Sequence, residues 1–366
     1  MLGLADHLSD QFETTLLSFS EGGQCRELLK HASDRGYLAE ELNNDTPWFR
    51  SAIRELTVRL KSHDTSVLCC HGYKASILGR IAARRVGIPV LAVSRGWTAE
   101  TWKVRVYEKL DRWNLRWMDR IVCVSRAQTV KAHQGGAPFD KTVTIPNAVD
   151  PRRFQHHSPQ SRGKLAGLFS RNPKFIIASA GRLSPEKGVE VFLRSAIDLV
   201  SQDHTLGFVH FGEGKLRSKL EMQIPEPLRG QIVLSGYRQD LDALLPHCNA
   251  FVLSSYTEGM PNVILEAHCA RVPTIATKVG GTPELIRDRE TGLLINPGSS
   301  QELTSAIRTL LNSAPLQKAL ASRGRENVLK HFTFTSQARA YESLFVELTE
   351  SVNSPEHSTQ ELQPTA

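Results

Sequence analysis

The sequence has no apolar run long enough to cross a bilayer and no pair of cysteines in a Cys-x-x-Cys pattern. A membrane-spanning helix needs about 20 consecutive apolar residues, and no segment approaches that length. Residues 1–7 contain neither lysine nor arginine, so we expect no secretory signal. Of the six cysteines, all but Cys25 lie in or beside apolar segments. This pattern is typical of reduced, buried thiols in a cytoplasmic protein.

The composition also lacks the extremes that mark disordered or fibrous chains. With 366 residues, 40% hydrophobic and 23% charged, the chain is expected to form two α/β domains. The net charge of +7 is unevenly distributed, with −4 in residues 1–60, +8 in residues 61–150 and +3 in the remainder. We expect the basic middle segment to meet an anionic partner. Nucleic acid is the less attractive partner, because no recognised binding motif accompanies the charge.

Short apolar runs alternate with helical patterns along most of the chain. The alternation predicts parallel, doubly wound α/β sheets. It lapses into prolines, serines and charged residues between two blocks, which indicates a linker. We therefore expect a first domain over residues 1–150, a linker over 151–173, a second domain over 174–332, a C-terminal helix over 333–350 and a disordered tail over 351–366.

Two glutamates, Glu258 and Glu266, flank the start of a predicted helix. An apolar strand over residues 250–255 runs into a turn containing Gly259, and Pro261 follows where a helix would begin at no cost in hydrogen bonds. A helix N-terminus presents unpaired amides and partial positive charge, which suit a phosphate. The two acids therefore indicate a ligand with hydroxyl groups on both sides of a diphosphate.

The acid and nucleophile of a glycosidase are the alternative interpretation of this glutamate pair. Eight residues of continuous helix would separate the two carboxylates by about 12 Å. Glycosidases hold their carboxyl groups between about 5 and 9.5 Å apart. The spacing therefore favours binding of two ends of one ligand. A salt-bridged helix surface is the other alternative for Glu266, and the apolar residues around it disfavour that interpretation.

A candidate pair of cations lies at the start of the second domain. The Ser-Pro sequence at 184–185 resembles a helix start, so Lys187 is predicted in the first turn, where the helix dipole disfavours a cation by up to about 1 kcal/mol. A lysine at this position beside Arg182 is expected if both side chains bind an anion. The alternative interpretation is that Lys187 is a solvated surface residue. Gly212 and Gly214 follow the next strand, where either a close ligand or an ordinary turn explains them.

The order of these motifs resembles glycosyltransferase family 4, the retaining, nucleotide-sugar-dependent enzymes with the GT-B fold. In that fold two Rossmann-like domains face a cleft. The resemblance covers nearly the whole chain, and the glutamate pair with the upstream arginine and lysine is its most specific part. It is carried by Gly181-Arg182, Glu186-Lys187-Gly188, Gly212-x-Gly214, Ser235-Gly236-Tyr237, Glu258-x7-Glu266 and Gly280-Gly281-x-x-Glu284.

The resemblance implies a role for each of these residues. Arg182 and Lys187 would grip the donor diphosphate and neutralise the leaving nucleotide. Glu258 would contact the hydroxyls of the donor sugar, and Glu266 would hold the ribose. No catalytic metal and no cofactor are expected, and the donor would be a UDP- or GDP-sugar. The other donor-binding residues would be Gly212, Gly214, Gly236 and Tyr237 around the nucleotide and Gly259, Met260 and Pro261 at the phosphate-facing turn.

In the first domain, His71 falls where the family places an active-site histidine near the transferred sugar. On its own, a histidine at a strand end is more often structural. Ser125 and Asn147 match family positions that face the cleft. Two departures are notable. The family's first strand and Gly-rich loop are missing before the helix predicted over 2–12, and Arg95 stands where the family often has a histidine. Arg95 is expected to affect acceptor choice.

A predicted helix over residues 101–118 combines tryptophans with basic residues. Its apolar members are Trp102, Val106, Leu110, Trp113 and Trp117, and its basic members are Lys103, Arg105, Lys109, Arg112, Arg116 and Arg120. A core-facing stripe with a solvated basic face is the ordinary interpretation. Contact with the headgroup region of an anionic membrane is the alternative.

The resemblance predicts a cytoplasmic, metal-independent, retaining hexosyltransferase. It would move a sugar to a saccharide or lipid-linked acceptor in cell-envelope polysaccharide or lipopolysaccharide biosynthesis, with peripheral contact at the inner face of the cytoplasmic membrane. The alternative from another class is a catalytically impaired nucleotide-sugar-binding protein, because the N-terminal Gly-rich loop is missing.

Overall fold

The computed structural model describes residues 1–97, 102–154 and 158–353, without the side chains of residues 102–104 and 352–353. Within these ranges the strands are β1 (Thr15–Phe19), β2 (Leu38–Leu42), β3 (Leu68–His71), β4 (Val90–Ser94), β5 (Arg120–Cys123), β6 (Thr142–Thr144), β7 (Phe175–Ala180), β8 (Leu206–Phe211), β9 (Ile232–Gly236), β10 (Ala250–Leu253), β11 (Thr274–Thr277) and β12 (Leu293–Ile295). The α-helices are α1 (Leu2–Ala5), α2 (Arg26–Ser33), α3 (Phe49–Ser62), α4 (Tyr73–Val86), α5 (Trp102–Leu115), α6 (Arg126–Gln134), α7 (Pro159–Ala166), α8 (Val189–Gln202), α9 (Arg217–Glu221), α10 (Leu241–Leu244), α11 (Asn262–Cys269), α12 (Thr282–Leu285), α13 (Ser300–Leu311), α14 (Ala314–His331) and α15 (Phe334–Asn353).

The strands pair in parallel and form three sheets. The first half of the chain contributes a two-stranded sheet, β1-β2, and a four-stranded sheet in the order β3-β4-β5-β6. The second half contributes a six-stranded sheet in the order β12-β11-β10-β7-β8-β9. Parallel pairing with intervening helices confirms the doubly wound α/β architecture predicted from the sequence.

The interior strands of the six-stranded sheet are buried on both faces. Every residue of β8, β10 and β11 is buried, as expected for parallel strands covered by helices on both sides. Helix α8 covers one face, where Phe192 meets Phe208 with ring centroids 5.6 Å apart. Burying one such side chain contributes about 1.5–3 kcal/mol to the free energy of unfolding. This packing stabilises the sheet whose edge is formed by the carboxyl ends of β7, β8 and β10.

The predicted helix over residues 2–12 is wrong in length. Helix α1 ends at Ala5, and hydrogen-bonded turns replace it as far as Phe12. The His7 ring Nδ1 lies 2.8 Å from the carbonyl oxygen of Gly3. Leu4, Leu8 and Phe12 still pack on the core. The helical periodicity therefore predicted the burial of these side chains correctly but the backbone conformation incorrectly.

A helix also occurs inside the segment predicted as a linker. Helix α7 begins after Ser158, whose side-chain oxygen accepts a hydrogen bond from the backbone N–H of Gln160 at 3.2 Å. Pro159 occupies the first helical position, where a missing N–H costs nothing. The Ser-Pro sequence therefore indicated a helix start, but the apolar pattern after it is too short to predict a helix.

The last helix returns to the first half of the chain. Phe345 of α15 packs against Phe12 with ring centroids 5.9 Å apart, and the Gln337 side chain donates a hydrogen bond to the carbonyl of Pro146 at 2.6 Å. Residues 351–353, predicted as part of a tail, continue this helix, and residues 354–366 lie outside the described residues. No helix in the described part of the chain is long and apolar enough to span a membrane.

The two sheets of the first half share one layer of helices but no backbone hydrogen bonds in the described ranges. Strand β1 pairs with β2, and β3 pairs with β4. Helices α3 and α4 connect the two sheets through a cluster that includes Phe19, Leu42, Leu60 and Leu78. The first half is therefore joined across this boundary by apolar packing.

Candidate active site

The candidate active site lies where loops after β5 and β6 meet the loop after β10. The Ser125 hydroxyl donates a hydrogen bond to the carbonyl of Gly259 at 2.9 Å. The Asn147 side-chain amide donates to the carbonyl of Met260 at 3.0 Å. The structure thus brings together Ser125, Asn147, Gly259 and Met260, which the sequence placed in the same cleft from opposite halves of the chain.

Gly259 lies against the backbone that follows β4. A Cβ added there would overlap the carbonyl oxygen of Arg95, so a larger residue would push the two loops apart. This glycine, predicted as part of a phosphate-facing turn, therefore also permits the closest approach of the two halves. Pro261 follows as the residue that caps α11 and not as its first helical residue.

Lys187 lies next to Glu258 and not in the first turn of a long helix. It ends a 3-10 turn, Pro185–Lys187, and Gly188 in a left-handed conformation separates that turn from α8. The predicted dipole penalty at Lys187 is therefore wrong. Its Nζ lies 2.7 Å from Oε1 of Glu258, which also accepts a hydrogen bond from the Ser255 hydroxyl at 2.6 Å. These two contacts hold the Glu258 side chain beside the Lys187 ammonium.

Arg182 is held by a different carboxylate. Its Nη2 lies 2.9 Å from Oε1 of Glu186, and the same oxygen accepts a hydrogen bond from the Ser184 hydroxyl at 2.6 Å. Glu186 is buried, whereas the Arg182 side chain is mostly exposed. The buried glutamate therefore orients the guanidinium from below and leaves much of it open to solvent, which suits a group that meets an anion.

Glu266 is a partly buried carboxylate in the middle of α11. Burial raises its pKa, Arg153 lowers it and Asp242 raises it. None of the described residues forms a hydrogen bond or an ion pair with this carboxylate. An acid that is partly removed from water and has no partner is stabilised when a ligand bonds to it, and this observation supports the predicted ribose-binding role.

The two glutamates do not share one helix. Glu258 lies in the loop before α11, so the predicted helical separation of about 12 Å does not apply to the pair. The case against a glycosidase pair depends instead on their contacts. Glu258 is ion-paired with Lys187 and hydrogen-bonded by Ser255, whereas Glu266 lacks both kinds of contact among the described residues.

The glycines after β8 and β9 pack backbone against backbone. The amide of Gly212 donates to the carbonyl of Gly236 at 2.8 Å, and a Cβ on Gly214 would overlap the carbonyl of Leu183. Close packing of the strand ends therefore explains these two glycines, and their approach to a ligand stays a prediction. Tyr237 follows with its ring exposed to solvent, where a base could stack on it.

His71 ends β3 and receives a hydrogen bond from Arg95. The Arg95 Nη2 lies 3.2 Å from His71 Nδ1, and the Cys69 sulfur lies 3.6 Å from Nε2. A guanidinium can only donate, so Nδ1 accepts and the ring proton resides on Nε2. Burial, with the nearby Arg95 charge, lowers the pKa of His71 to about 3. The imidazole is therefore neutral and offers a donor.

The sequence assigned Arg95 to acceptor choice and did not link it to His71. We expect Arg95→Met to free Nδ1 and to raise the pKa of His71 above about 3, because one neighbouring charge is removed. Losing one oriented hydrogen bond, worth about 1.4 kcal/mol, should lower kcat about tenfold. Activity should also begin to fall at a higher pH as the solution is acidified, since the imidazole protonates earlier.

The pH dependence of kcat tests this positioning role. Arg95→Lys keeps a donor and should recover part of the activity, and Arg85→Met removes an exposed arginine from α4 as the matched control. If the acidic limb of the profile does not move in Arg95→Met, Arg95 does not control the protonation of His71.

Glu284 is a site residue to which sequence reasoning assigned no role. Its carboxylate accepts hydrogen bonds from the backbone amides of Arg126 and Ala127, at 2.9 and 3.0 Å, while Ser125 caps the next amide of α6 at 3.0 Å. A carboxylate at a helix N-terminus is favourable. The Gly-Gly-x-x-Glu pattern was the available signal, but only the fold shows that its glutamate reaches the opposite half.

Glu284→Ala should leave two amides of α6 without their partner and weaken contact between the halves. We expect kcat to fall about tenfold, since charge-assisted hydrogen bonds contribute about 1.5–3 kcal/mol each. Affinity for UDP should stay unchanged, because the Glu284 carboxylate accepts its hydrogen bonds from the first half and the predicted nucleotide-binding residues lie in the second. Calorimetry and steady-state kinetics measure the two quantities. Glu290→Ala, in an exposed pair with Arg287 at 3.8 Å, serves as the control, and equal losses in both variants would contradict the proposed contact.

The fold and site define a two-domain α/β enzyme of the GT-B class. The chain aligns with a crystal structure of Anabaena Alr3699/HepE in complex with UDP-glucose at a TM-score of 0.78 and 21% identity, over 87% of this chain and 88% of that one. It also aligns with a sucrose-phosphate synthase from Thermosynechococcus elongatus at a TM-score of 0.75 and 17% identity, over 92% and 99% of the two chains. The predicted GT-B fold is confirmed.

The family follows from profile matches across the chain. Residues 1–153 match the profile described as Glycosyltransferase Family 4, and residues 165–327 match Glycosyl transferases group 1. The chain belongs to this glycosyltransferase family. It is 27% identical to an Escherichia coli UDP-Gal:alpha-D-GlcNAc-diphosphoundecaprenol alpha-1,3-galactosyltransferase, over 79% of this chain and 77% of the relative. It is 23% identical to a Staphylococcus aureus capsular polysaccharide biosynthesis glycosyltransferase, CapM, over 71% of this chain and 71% of the relative.

Proposed function

We propose that this glycosyltransferase moves a hexose from a UDP-sugar to a lipid-linked saccharide with retention of anomeric configuration. The observation that carries the proposal is the partly buried Glu266, without a hydrogen bond or ion pair among the described residues, eight residues after the Glu258 that pairs with Lys187. One carboxylate suits the ribose hydroxyls, and the cation suits the diphosphate between ribose and sugar. UDP is favoured over GDP because the similar Anabaena structure contains UDP-glucose and the similar E. coli enzyme is named for UDP-galactose.

Glycosyl transfer at this site needs no protein nucleophile. The bond from the sugar anomeric carbon to the donor phosphate oxygen breaks, and UDP leaves with the electron pair. The acceptor hydroxyl forms the new bond on the same face and passes its proton to the leaving phosphate. Lys187 and Arg182 stabilise the charge on that phosphate, so the site does not depend on a metal ion. His71, as a neutral donor, holds a hydroxyl of the transferred sugar, and Glu258 accepts from another.

The acceptor and the cellular location follow from similar reasoning. Relatives named for a diphosphoundecaprenol-linked sugar and for capsular polysaccharide support a lipid-linked acceptor in cell-envelope biosynthesis. All six cysteines are free thiols, and five are buried. Free thiols persist in a reducing compartment, which supports a cytoplasmic enzyme working at the inner face of the membrane.

Product analysis tests the proposed function. The purified chain is incubated with UDP-glucose, UDP-galactose or GDP-mannose and a short-chain lipid diphosphate carrying N-acetylglucosamine. We expect one UDP-sugar to give UDP and glycosylated acceptor in equal amounts, with an α-linkage from the α-donor by proton NMR. A β-linked product would overturn retention. UDP binding without transfer to any acceptor would overturn the enzymatic proposal and favour the nucleotide-sugar-binding alternative.

A further inference from the structure

Helix α5 exposes its apolar side chains to solvent. The residues expected to form a core-facing stripe are instead about half exposed, so the ordinary interpretation of this helix is wrong for them. The exposed fractions are Val106 51%, Tyr107 53%, Leu110 48%, Trp113 54% and Trp117, just beyond the helix, 47%. The side chains of Trp102 and Lys103 lie outside the described residues. Val106, Leu110, Trp113 and Trp117 follow one another at intervals of three or four residues, so these exposed apolar side chains lie along one side of the helix and its C-terminal turn.

The opposite side of the helix buries polar side chains. Glu108, Asp111 and Asn114 are 2%, 5% and 1% exposed, and their spacing of three residues places them on one side of a helix. Trp97 donates to Asp111 at 3.2 Å, and Arg80 donates to Asn114 at 2.6 Å. Burial raises the pKa of Asp111 to about 6. These bonds fix the helix in an orientation opposite to that of an ordinary amphipathic surface helix.

The exposed side of α5 is also basic. Arg105, Lys109, Arg112 and Arg116 are exposed, whereas the two acids of the helix are buried beneath them. The Arg84 guanidinium lies 5.8 Å from the Trp117 ring, and the Trp113 and Trp117 rings lie 6.2 Å apart, edge to face. We call the exposed residues 105–107, 109–110, 112–113 and 116–117 the α5 face. The acids of the helix lie on its buried side, so the exposed charges of the α5 face are all positive.

The α5 face is connected to the candidate active site through its buried side. The Tyr73 hydroxyl lies 3.5 Å from the carbonyl of Gly96 and 3.4 Å from the carboxylate of Glu108. A Cβ on Gly96 would lie 3.6 Å from the Cα of Gly259, so this loop reaches the opposite half of the cleft. A partner that holds the α5 face is therefore held close to the acceptor side of the site.

We propose that the α5 face docks on the headgroup region of an anionic bilayer and so brings a lipid-linked acceptor to the cleft. Tryptophan and tyrosine side chains prefer this region, where an apolar ring meets a polar surface. Arginine and lysine side chains among them meet lipid phosphates, at about 1 kcal/mol each. This inference extends the proposed function, because it names the surface that delivers the acceptor.

Vesicle co-sedimentation of the full chain tests the surface without requiring activity. The wild-type protein should sediment with phosphatidylcholine vesicles containing phosphatidylglycerol and should be released by salt. Trp113→Ser/Trp117→Ser removes the aromatic component, and Lys109→Glu/Arg116→Glu reverses two charges. Each double variant should bind these vesicles at least about tenfold more weakly, given the contribution of each group.

Two matched controls separate the α5 face from general effects. Trp48→Ser changes a tryptophan that is 71% exposed at the start of α3, and Lys318→Glu/Lys330→Glu makes the same charge change on α14. Both should bind vesicles like the wild type. Transfer to a water-soluble acceptor should be unchanged in every variant, since none of these residues lies in the catalytic site.

Three results would overturn the membrane assignment. The first is wild-type protein that fails to bind the anionic vesicles. The second is α5 variants that bind them as tightly as the controls do. The third is a wild-type dimer in solution that the tryptophan variants convert to monomer, because the α5 face would then be covered by a second copy of the chain. A loss of transfer activity alone would test the proposed function and not this surface.

Discussion

Replacing Lys187 with alanine is expected to lower kcat by about 10²–10³, the usual effect of removing one preorganised group that stabilises transition-state charge. The Lys187 ammonium lies at the predicted diphosphate position and 2.7 Å from Glu258. Under the proposed function, its removal takes away a positive charge that stabilises the leaving nucleotide. It also leaves the buried Glu258 carboxylate without a cation, which is costly in itself. Thermal unfolding should therefore show lower stability as well.

The double variant Lys187→Ala/Glu258→Gln separates these two effects. A neutral amide at 258 no longer needs a cation, so stability should return toward that of the wild type, while kcat stays low. Lys187→Arg keeps the charge and should retain more activity than Lys187→Ala. Lys219→Ala, on the exposed side of α9, is the control for loss of a lysine. If the double variant regains kcat together with stability, Lys187 serves the fold and not the phosphate.

Glu266→Gln is expected to weaken UDP binding about 10- to 100-fold without lowering stability. Hydrogen bonds from ribose hydroxyls to a carboxylate contribute about 1.5–3 kcal/mol, which corresponds to that range. Burial raises the pKa of Glu266. Because the pKa of Glu266 is higher in the folded than in the unfolded protein, protonated Glu266 favours folding at low pH. This contribution to stability is lost as the pH rises through the folded-state pKa. At neutral pH the neutral glutamine therefore relieves a cost to folding.

Calorimetry with UDP and with its 2′,3′-dideoxy analogue identifies the contact. The wild type should bind UDP more tightly than the analogue, and Glu266→Gln should bind both with similar weak affinity. UDP affinity of the wild type should also fall on acidification through the raised pKa, because the ribose needs the ionised carboxylate. Glu302→Gln, an exposed acid on α13, is the control. If Glu266→Gln weakens UDP and the analogue equally, Glu266 does not bind the ribose.

Much of the fold could be predicted because the central strands are buried on both faces. Continuous apolar runs of this kind, as in β8 and β10, stand out in the sequence. The edge strands β2 and β12 were missed. Strand β2 has the sequence Leu-Ala-Glu-Glu-Leu and pairs on one side only, and its two glutamates interrupt the apolar pattern of a strand. Strand β12 has three residues, which are too few for a recognisable pattern. Helix α14 was missed as well, since its polar surface gives a weak apolar pattern.

The site residues could be located in the sequence, but their contacts could not. Lys187 and Glu258 were found from separate motifs, yet their ion pair joins residues 71 apart in sequence. The bond from Arg95 to His71 and the reach of Glu284 to α6 likewise depend on how loops from different strands meet. The orientation of α5 was also hidden, because periodicity shows which residues share a side and not which side faces the core.

The division of the first half into two separate sheets has a consequence for how the chain unfolds. Backbone hydrogen bonding transmits cooperativity along a sheet, and the described strands β1 and β3 are not bonded to each other. Among the described residues, apolar packing through residues such as Leu60 and Leu78, and ion pairs from Lys74 to Glu21 and Asp45, link their stabilities. A boundary between cooperative units therefore runs between β1 and β3. We therefore expect native-state hydrogen exchange to show β1 and β2 opening as one unit while β3 to β6, and His71 with them, keep their native pairing.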